Sequence, residues 1–378
     1  MRILSIIGTR PEALKMGPVV CALARRQGIK SLVCTTGQHH QILDQSLGLF
    51  GIEPDYRLAC PRRGAEPFAM RALAGIGPVV RQTRPDWILA AGDTSSVLAA
   101  SLAALHHGVR FAHVEAGLRT DCKWEPFPEE GFRRVASALA DLHLAPTAGA
   151  RRNLRRENVP AHSIVVTGNP IIDTLRRFEP TADSATLRRL WSRLDLGPED
   201  AAAAPRLLVA TFHRRENHGR PVREICQSLR QLAAAYRGSV KILCIYHPNP
   251  AVRRPTLRAL RGVPHVVLSP HLSYPDLVAV LRRTTLVLTD SGGLQEEAPH
   301  LGVPVLVLRR RTERPEALAA GATELVGTDC AAIVSATRRL LDHRAAYRRM
   351  TRGYRGYGDG RAAARIVEAL EQKHAAAR

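Results

Sequence analysis

The sequence lacks several features that mark common classes of protein. Aromatic residues make up only 4% of its 378 residues, although the formal net charge is +21 and the pI is about 10.8. The arginines are spread along the whole chain and form no basic tail or stripe, which argues against the stacking platforms and charged grooves that bind nucleic acids. We therefore expect a solvated basic surface, an anionic small-molecule substrate and no nucleic-acid partner.

Long apolar runs are also missing. The apolar start, residues 1–7, is followed at once by Gly8 and Pro11 and is too short for the apolar part of a signal peptide. No later run is long enough to span a bilayer. We expect no membrane partner and a cytoplasmic, reducing location.

Motifs of several enzyme classes are absent as well. The seven cysteines are scattered with no pair at metal-ligand spacing, which indicates neither a disulfide framework nor zinc. The sequence has no G-x-G-x-x-G fingerprint with a following acidic residue, no Walker lysine loop and no G-x-S-x-G motif. Hydride transfer, nucleotide hydrolysis and acyl transfer are therefore poorly supported.

The sequence does show short β-branched or leucine-rich runs that alternate with longer helical stretches. This alternation predicts α/β structure with parallel, doubly wound sheets. Strands are predicted at residues 3–7, 31–35, 87–90, 110–114, 142–145 and 163–166, and again at 207–211, 240–244, 266–268, 286–289 and 305–308. The charged, proline-flanked stretch between residues 177 and 205 interrupts the pattern and predicts a domain boundary.

Polar residues cluster directly after these predicted strands. Ligands of open parallel sheets bind beyond the carboxyl ends of the strands, so these positions are the candidate site. They are residues 8–12, 36–39, 92–95, 115–120, 212–217, 246–250 and 290–297.

The stretch Asp290-Ser291-Gly292-Gly293 follows a strand and opens a helix. Two glycines let an anionic ligand approach the backbone N–H groups of the turn, and we expect Ser291 to cap the helix. The pattern predicts binding of a phosphorylated sugar or nucleotide. The alternative is an ordinary capped turn between a strand and a helix.

Other candidates are acid/base groups and cations. Arg10 and Lys15 flank the first helix, where both could reach a diphosphate. Three carboxylates follow a strand or a proline-braced loop, and an imidazole follows a strand beside two arginines: Asp93, Glu115, Glu129 and His213. Asp93 has an alternative role as the cap of the next helix.

Taken together, these motifs resemble the bacterial non-hydrolysing UDP-N-acetylglucosamine 2-epimerases over essentially the whole chain. The matching stretches are residues 8–16, 92–94, 113–120, 128–130, 213–217, 289–299, 312–316 and 357–360. The resemblance implies two Rossmann-like doubly wound domains that face a cleft, as in the glycosyltransferase-B-type fold. It implies domains of residues 1–170 with 361–378 and of residues 171–360, a last helix that crosses back to the first domain, and a homodimer without NAD or metal.

The implied reaction is reversible inversion of C2 of UDP-N-acetylglucosamine, by elimination of UDP to 2-acetamidoglucal and re-addition. By resemblance, Asp93, Glu115 and Glu129 are the acid/base set, and His213 assists departure of the diphosphate. The implied binding residues are Arg10, Lys15, Ser291, Gly292 and Gly293 for the diphosphate or sugar, Glu297 for the ribose, Arg314 for the nucleotide, and backbone near Leu272 to Leu277 for the uracil. A second, activating substrate molecule is implied at Gln38, Gln41, Arg71 and His247.

Three alternatives stay open from the sequence. The first is a hydrolysing epimerase that releases UDP and N-acetylmannosamine. The second is a 2-epimerase of a related UDP-acetamido sugar. The third is a protein without turnover, either a nucleotide-sugar sensor or a basic nucleic-acid binder.

Overall fold

The chain divides into two units, each with one parallel sheet. The computed structural model describes residues 1–37, 40–60, 68–179, 183–197 and 204–376, without the side chains of His40 and Gln41. The first unit comprises Met1–Thr174 with Gly356–Arg378, and the second comprises Leu175–Arg355. The sequence interruption at 177–205 therefore begins just after the boundary between the units.

The first unit contains a seven-stranded sheet in the order β3-β2-β1-β4-β5-β6-β7, in which every pair of neighbours is parallel. Its elements are β1 (Arg2–Ile7), α1 (Arg10–Ala24), β2 (Lys30–Thr35), α2 (His40–Gly48), β3 (Tyr56–Arg57), α3 (Phe68–Thr83), β4 (Trp87–Ala91), α4 (Ser95–His106), β5 (Arg110–Val114), α5 (Glu129–Leu139), β6 (Leu142–Ala145), α6 (Ala148–Arg156), β7 (Ile164–Val166) and α7 (Pro170–Phe178), which contains the boundary.

The second unit contains a six-stranded parallel sheet in the order β10-β9-β8-β11-β12-β13. Its elements are α8 (Ala185–Leu194), β8 (Arg206–Thr211), α9 (Arg220–Tyr236), β9 (Val240–Ile245), α10 (Pro250–Leu260), β10 (Val266–Ser269), α11 (Tyr274–Arg282), β11 (Thr284–Thr289), α12 (Leu294–His300), β12 (Val305–Val307), α13 (Pro315–Ala319), β13 (Thr323–Leu325), α14 (Cys330–Asp342) and α15 (Arg344–Met350). The last helix, α16 (Ala362–Ala375), belongs to the first unit.

Helices cover both faces of each sheet, which explains why the strands read as nearly continuous apolar runs. In the first unit, β4 is buried along its whole length, and Trp87 at its start is 1% exposed. Ile366 and Leu370 of α16 enter the same core as Leu23 of α1. Burial of each such aliphatic side chain stabilises the fold by roughly 1.5–3 kcal/mol. The predicted fold class, two doubly wound α/β units with a last helix that returns to the first, is confirmed.

Strand order reverses once in each sheet, and these reversals locate the candidate site. In the first sheet β1 lies between β2 and β4, and in the second β8 lies between β9 and β11. The two connections that leave such a pair of strands turn to opposite faces of the sheet, which opens a crevice between their loops. None of the helices in the described part of the chain is both long and apolar enough to cross a membrane.

Candidate active site

Glu115 lies directly after β5, and donors on two sides hold its carboxylate. Its side chain is 3% exposed, and Lys15 Nζ lies 2.5 Å from its Oε2 atom. On the other side, Asn169 Nδ2 donates to Oε1 at 2.9 Å. The backbone of Glu115 is left-handed, with φ of 63°, a conformation that costs a residue with a Cβ about 1–2 kcal/mol. Such strain is typical of functional positions.

Asp93, which follows β4, forms an ion pair with Arg133 of α5. The Asp93 side chain keeps 28% of its surface exposed, whereas Arg133 is 3% exposed. The alternative prediction that Asp93 caps the next helix is wrong. Thr94 occupies the N-cap position of α4, and its hydroxyl accepts a hydrogen bond from Ser96 N. The Asp93 carboxylate therefore binds Arg133 while part of its surface stays accessible to solvent.

Glu129 and Glu130 begin α5 after the proline-braced loop, and the two differ in exposure. Glu129 is half-buried, whereas Glu130 is fully buried and accepts bonds from Arg133 Nη1 at 3.1 Å and Arg134 Nε at 3.1 Å. The Thr120 N–H also donates to Glu130, at 3.2 Å. Glu130 thus holds Arg133 in place beside Asp93, and Glu129 is the more accessible of the two acids.

Glu12 is a buried carboxylate that joins the turns after β1 and β4. It accepts N–H bonds from Gly8 at 2.5 Å and from Thr9 at 3.2 Å, and it forms a capping box with Thr9. Its second oxygen accepts the Thr94 hydroxyl at 2.5 Å. Burial is the main cause that raises its pKa to about 7, against the lowering effect of these donors. Glu12 therefore connects the start of α1 with the turn that carries Asp93.

We expect Glu12→Gln to remove a pH dependence of stability. Because the folded-state pKa is raised from 4.5 to about 7, the stability that protonation supplies is complete below pH 4.5 and lost as the pH rises through 7. Between pH 5 and pH 8 the parent should lose on the order of 3 kcal/mol relative to the variant. Urea unfolding of both proteins at the two pH values measures this difference. Equal losses in both would contradict the assignment.

In the second unit, the loop after β8 is organised by Asp290 at the end of β11. The fully buried Asp290 carboxylate accepts the backbone N–H of His213 at 2.9 Å, that of Arg214 at 2.9 Å and Asn217 Nδ2 at 2.8 Å. The His213 ring, about a third exposed, places Nδ1 3.3 Å from Asp290 Oδ1. Burial lowers the pKa of His213 from its ordinary value, while Asp290 acts in the opposite direction. Burial and Asp290 thus act on the protonated ring in opposite directions, and burial has the larger effect.

The predicted Ser-Gly-Gly turn lies between β11 and α12, but the predicted cap by Ser291 is wrong. Within the described structure Gly293 occupies the N-cap position, and no side-chain hydrogen bond caps α12. The Ser291 N–H instead donates to Thr289 Oγ1 at 2.9 Å. The sequence pattern could not show this, because it does not reveal that α12 begins at Leu294, two residues later than a cap at Ser291 requires.

Arg314 lies beneath this turn in a buried network of ion pairs. Its guanidinium is 5% exposed, bonds Glu296 at 2.6 Å and contacts Glu313. A Cβ at Gly292 would lie 2.6 Å from Arg314 Nη1, so only glycine lets the turn pack on the guanidinium. Arg309 extends the network by a 2.8 Å bond to Glu313. The turn after β11 therefore lies on a positively charged group that glutamates hold in place.

Glu297, predicted to bind a ribose, is 4% exposed, and its Oε1 accepts the Tyr274 hydroxyl at 2.5 Å. Leu272 and Leu277 both belong to the apolar packing of this unit. The N–H of Leu277 donates to Ser273 O inside α11. The backbone N–H of Leu277 is therefore already engaged, and the predicted backbone contact with a ligand would have to come from residues near Leu272.

The predicted activator residues lie on different parts of the chain. Gln38 is outside the described residues, and so is the side chain of Gln41. Arg71 is a half-buried residue of α3 in the first unit. His247, in the second unit, stacks on His213 with ring centroids 5.4 Å apart. His247 is thus an immediate neighbour of the candidate catalytic imidazole.

Several residues that hold the candidate site residues of each unit in place were not singled out from the sequence. Glu130 and Asp290 lie within the matched stretches, and Arg133 lies three residues after one of them, so proximity to a motif was the available signal. Asn169 gave no comparable signal, and for Glu12, which lies within the candidate residues 8–12, the contact with Thr94 was missed. Their partners, Glu115 and Thr94, are 54 and 82 residues away, and only the strand order brings them together.

Comparisons with known proteins identify the family of the chain. A family model described as UDP-N-acetylglucosamine 2-epimerase matches residues 21–371. A UDP-N-acetylglucosamine 2-epimerase of Yersinia pestis is 44% identical, with 98% of each chain covered. The crystal structure of a Neisseria meningitidis UDP-GlcNAc 2-epimerase bound to UDP-GlcNAc has a TM-score of 0.92 and 38% identity, over 98% of this chain and 100% of that chain. A Methanocaldococcus jannaschii UDP-GlcNAc 2-epimerase in complex with UDP-GlcNAc and UDP has a TM-score of 0.85 and 27% identity, with 98% and 100% covered.

The structure shows an α/β protein of two doubly wound units, each with acidic and cationic side chains after its strands. The matched model and the full-length relatives then fix the family. The chain belongs to the UDP-N-acetylglucosamine 2-epimerase family.

Proposed function

We propose that this protein is a non-hydrolysing epimerase that interconverts UDP-N-acetylglucosamine and UDP-N-acetylmannosamine. The observation that carries the proposal is the carboxylate cluster of the first unit, in which Glu115 is held by Lys15 and Asn169 while Asp93 stays accessible beside Arg133. The family of the chain supports the substrate.

The C2 proton of the sugar is hardly acidic, because no carbonyl is attached to that carbon. Elimination solves this difficulty. The C1–O bond breaks and its electron pair leaves with UDP, while a carboxylate takes the C2 proton and the C1=C2 double bond of 2-acetamidoglucal forms. In the return step, C2 accepts a proton on its opposite face and a UDP oxygen adds to C1. Because the proton leaves one face of C2 and returns to the other, the reaction requires two acid/base groups.

We assign these acid/base roles to Asp93, Glu115 and Glu129. Paired carboxylates in different surroundings differ in their tendency to hold a proton, which suits one to act as base and another as acid. Glu115 is almost fully buried, Glu129 is half-buried and Asp93 is partly exposed. Lys15 and Arg10, at the start of α1, supply positive charge for the sugar diphosphate.

We assign the binding of UDP to the second unit. The glycine turn at 291–293 offers backbone N–H groups to the diphosphate, and Glu297 and Arg314 serve the ribose and nucleotide region. His213 contacts the diphosphate and stabilises the negative charge that grows on the leaving group. The ring gains a proton more readily next to an anion, which fits this role.

The products distinguish this proposal from its alternatives. We expect purified protein incubated with UDP-N-acetylglucosamine to yield a stable mixture with UDP-N-acetylmannosamine, resolved by ion-exchange chromatography and NMR. Accumulation of UDP with free N-acetylmannosamine would establish a hydrolysing enzyme instead. Turnover confined to another UDP-acetamido sugar in a matched panel would reassign the substrate.

The resemblance also supports a homodimer in the cytoplasm. Light scattering of the purified protein tests the assembly, with a mass near 83 kDa expected from the 41.4 kDa chain. A single species at the monomer mass would contradict it.

A further inference from the structure

The matched stretch at residues 357–360, here called the tail loop, has no role in the reaction described above. It belongs to the first unit although it lies 180 residues after most of that unit in the chain. The Tyr357 carbonyl accepts the backbone N–H of Asn169 at 2.6 Å, and Tyr357 is 1% exposed. The tail loop therefore contacts the residue that bonds Glu115.

Glycines make this contact close. Gly168 and Gly358 have φ values of 86° and 147°, both in regions that favour glycine. A Cβ at Gly168 would lie 3.2 Å from the Gly358 Cα, and one at Gly358 would lie 3.5 Å from Asn169 N. The two loops thus pack backbone against backbone. A Cβ at Gly168 would be tight, and at Gly358 the positive φ disfavours any residue with a Cβ.

Three bonds tie the start of α16 to the segment that carries Asn169, and an ion pair ties the tail loop to α16. Asp173 accepts the N–H groups of Ala362 at 3.1 Å and Ala363 at 2.9 Å, at the start of α16. Arg365 donates to Thr167 O at 3.2 Å and pairs with both oxygens of Asp359 at 2.7 Å. The first turn of α16 and the loop before it are therefore tied to residues 167–173.

The amide of Asn169 has a defined orientation. The side chain is fully buried, and its Oδ1 accepts the Ile171 N–H at 3.2 Å. Because an N–H can bond only the carbonyl end of the amide, Nδ2 must face the Glu115 carboxylate. Asn169 thus donates to Oε1 while Lys15 donates to Oε2, and the two donors leave the carboxylate little freedom to rotate.

We propose that Asn169 is a positioning residue for the Glu115 carboxylate, and that the tail loop holds Asn169 in place for this task. The inference rests on the proposed function, in which Glu115 is one of the acid/base groups. The physical reason is that a buried hydrogen-bond donor stabilises the ionised carboxylate and fixes its orientation. Residues that hydrogen-bond metal ligands act on those ligands in the same way. The fold itself has other anchors for α16 in the core around Ile366 and Leu370.

The pH profile of kcat/KM is the readout that a purely structural role would not change. Charged or titratable groups next to Glu115 in the described structure include Lys15 from α1 and His113 from the strand β5 that precedes it. Burial lowers the pKa of His113 to about 4, so this ring is mostly neutral at pH 5 and above. Without the Asn169 donor the ionised form of Glu115 is less stabilised. We therefore expect the acidic limb, the low-pH side of the kcat/KM profile, to move to higher pH.

The experiment compares Asn169→Ala and Asn169→Asp with the parent enzyme. We expect kcat to fall by about 10- to 100-fold in Asn169→Ala with KM changed less than threefold, and the acidic limb to rise by about one pH unit. Asn169→Asp keeps the size and the acceptor for Ile171 but places a second carboxylate against Glu115, so its limb should rise further. If both variants fold and keep the acidic limb of the parent, the proposal is wrong.

Gly358→Ala tests the tail loop, and Leu370→Ala serves as the matched control in the same C-terminal segment. We expect Gly358→Ala to raise the acidic limb in the same direction by a smaller amount. Leu370→Ala should lower Tm through a core cavity and leave the limb unchanged. A Gly358→Ala protein that loses Tm but keeps the limb would overturn the role of the tail loop. An inactive parent would instead refute the proposed function.

Discussion

Asp93→Asn is expected to lower kcat by about 10²- to 10⁴-fold, the range for loss of a positioned acid/base group. The asparagine keeps an oxygen that can accept from Arg133, so the ion-pair partner stays satisfied and the fold intact. UDP affinity should stay within about twofold of the parent, because we assign UDP binding to the second unit. Initial rates and calorimetric titration with UDP measure the two quantities.

Asp141→Asn is the matched control for this prediction. Asp141 lies in the same unit, before β6, and its carboxylate accepts the Phe111 N–H at 2.8 Å. The substitution makes the same chemical change away from the candidate site, so kcat should stay near the parent value. Should Asp93→Asn retain more than a tenth of the parent kcat, Asp93 has no acid/base role.

Arg314→Met is expected to destabilise the protein by about 3–5 kcal/mol, the usual cost of removing one member of a buried ion pair. Glu296 and Glu313 are each 1% exposed in their side chains and bond the Arg314 guanidinium directly. Methionine fills the space but leaves these carboxylates with less compensating charge. Chemical unfolding of parent and variant at pH 7 measures the effect.

Two further variants make this result specific. Arg339→Met removes a pair with Glu324 whose side chains are 44% and 38% exposed, and should cost no more than about 1 kcal/mol. Arg314→Met combined with Glu296→Gln should recover part of the lost stability, since one uncompensated buried charge is removed. Equal destabilisation by Arg314→Met and Arg339→Met would show that the buried ion pairs contribute no more to the free energy of unfolding than the exposed pair.

Much of the fold follows from local patterns in the sequence. All eleven predicted strands correspond to observed strands, because buried parallel strands read as short apolar runs between helices. The two strands missed, β3 (Tyr56–Arg57) and β13 (Thr323–Leu325), lie at sheet edges and have two and three residues. Two or three residues give a periodic pattern too little length to be recognised.

The sequence predicted which candidate residues follow the strands, but it did not predict most of their hydrogen-bond and ion-pair partners. Residues after strands were located correctly, because the carboxyl ends of parallel strands lie on one edge. The caps assigned to Asp93 and Ser291 were wrong, since the neighbouring Thr94 and Gly293 occupy the N-cap positions. Whether a side chain caps a helix or pairs with a distant cation depends on tertiary neighbours. Arg133 is such a neighbour, 40 residues from Asp93.

The fate of the C2 proton tests the central claim most directly. The parent enzyme is incubated with UDP-N-acetylglucosamine in deuterium oxide, and both UDP-sugars are isolated and analysed by NMR and mass spectrometry. Because a carboxylate removes the proton and solvent exchanges with that carboxyl group, we predict one deuterium at C2 in the epimer and in the recovered substrate pool. An epimer that forms with its original hydrogen at C2 would contradict the account.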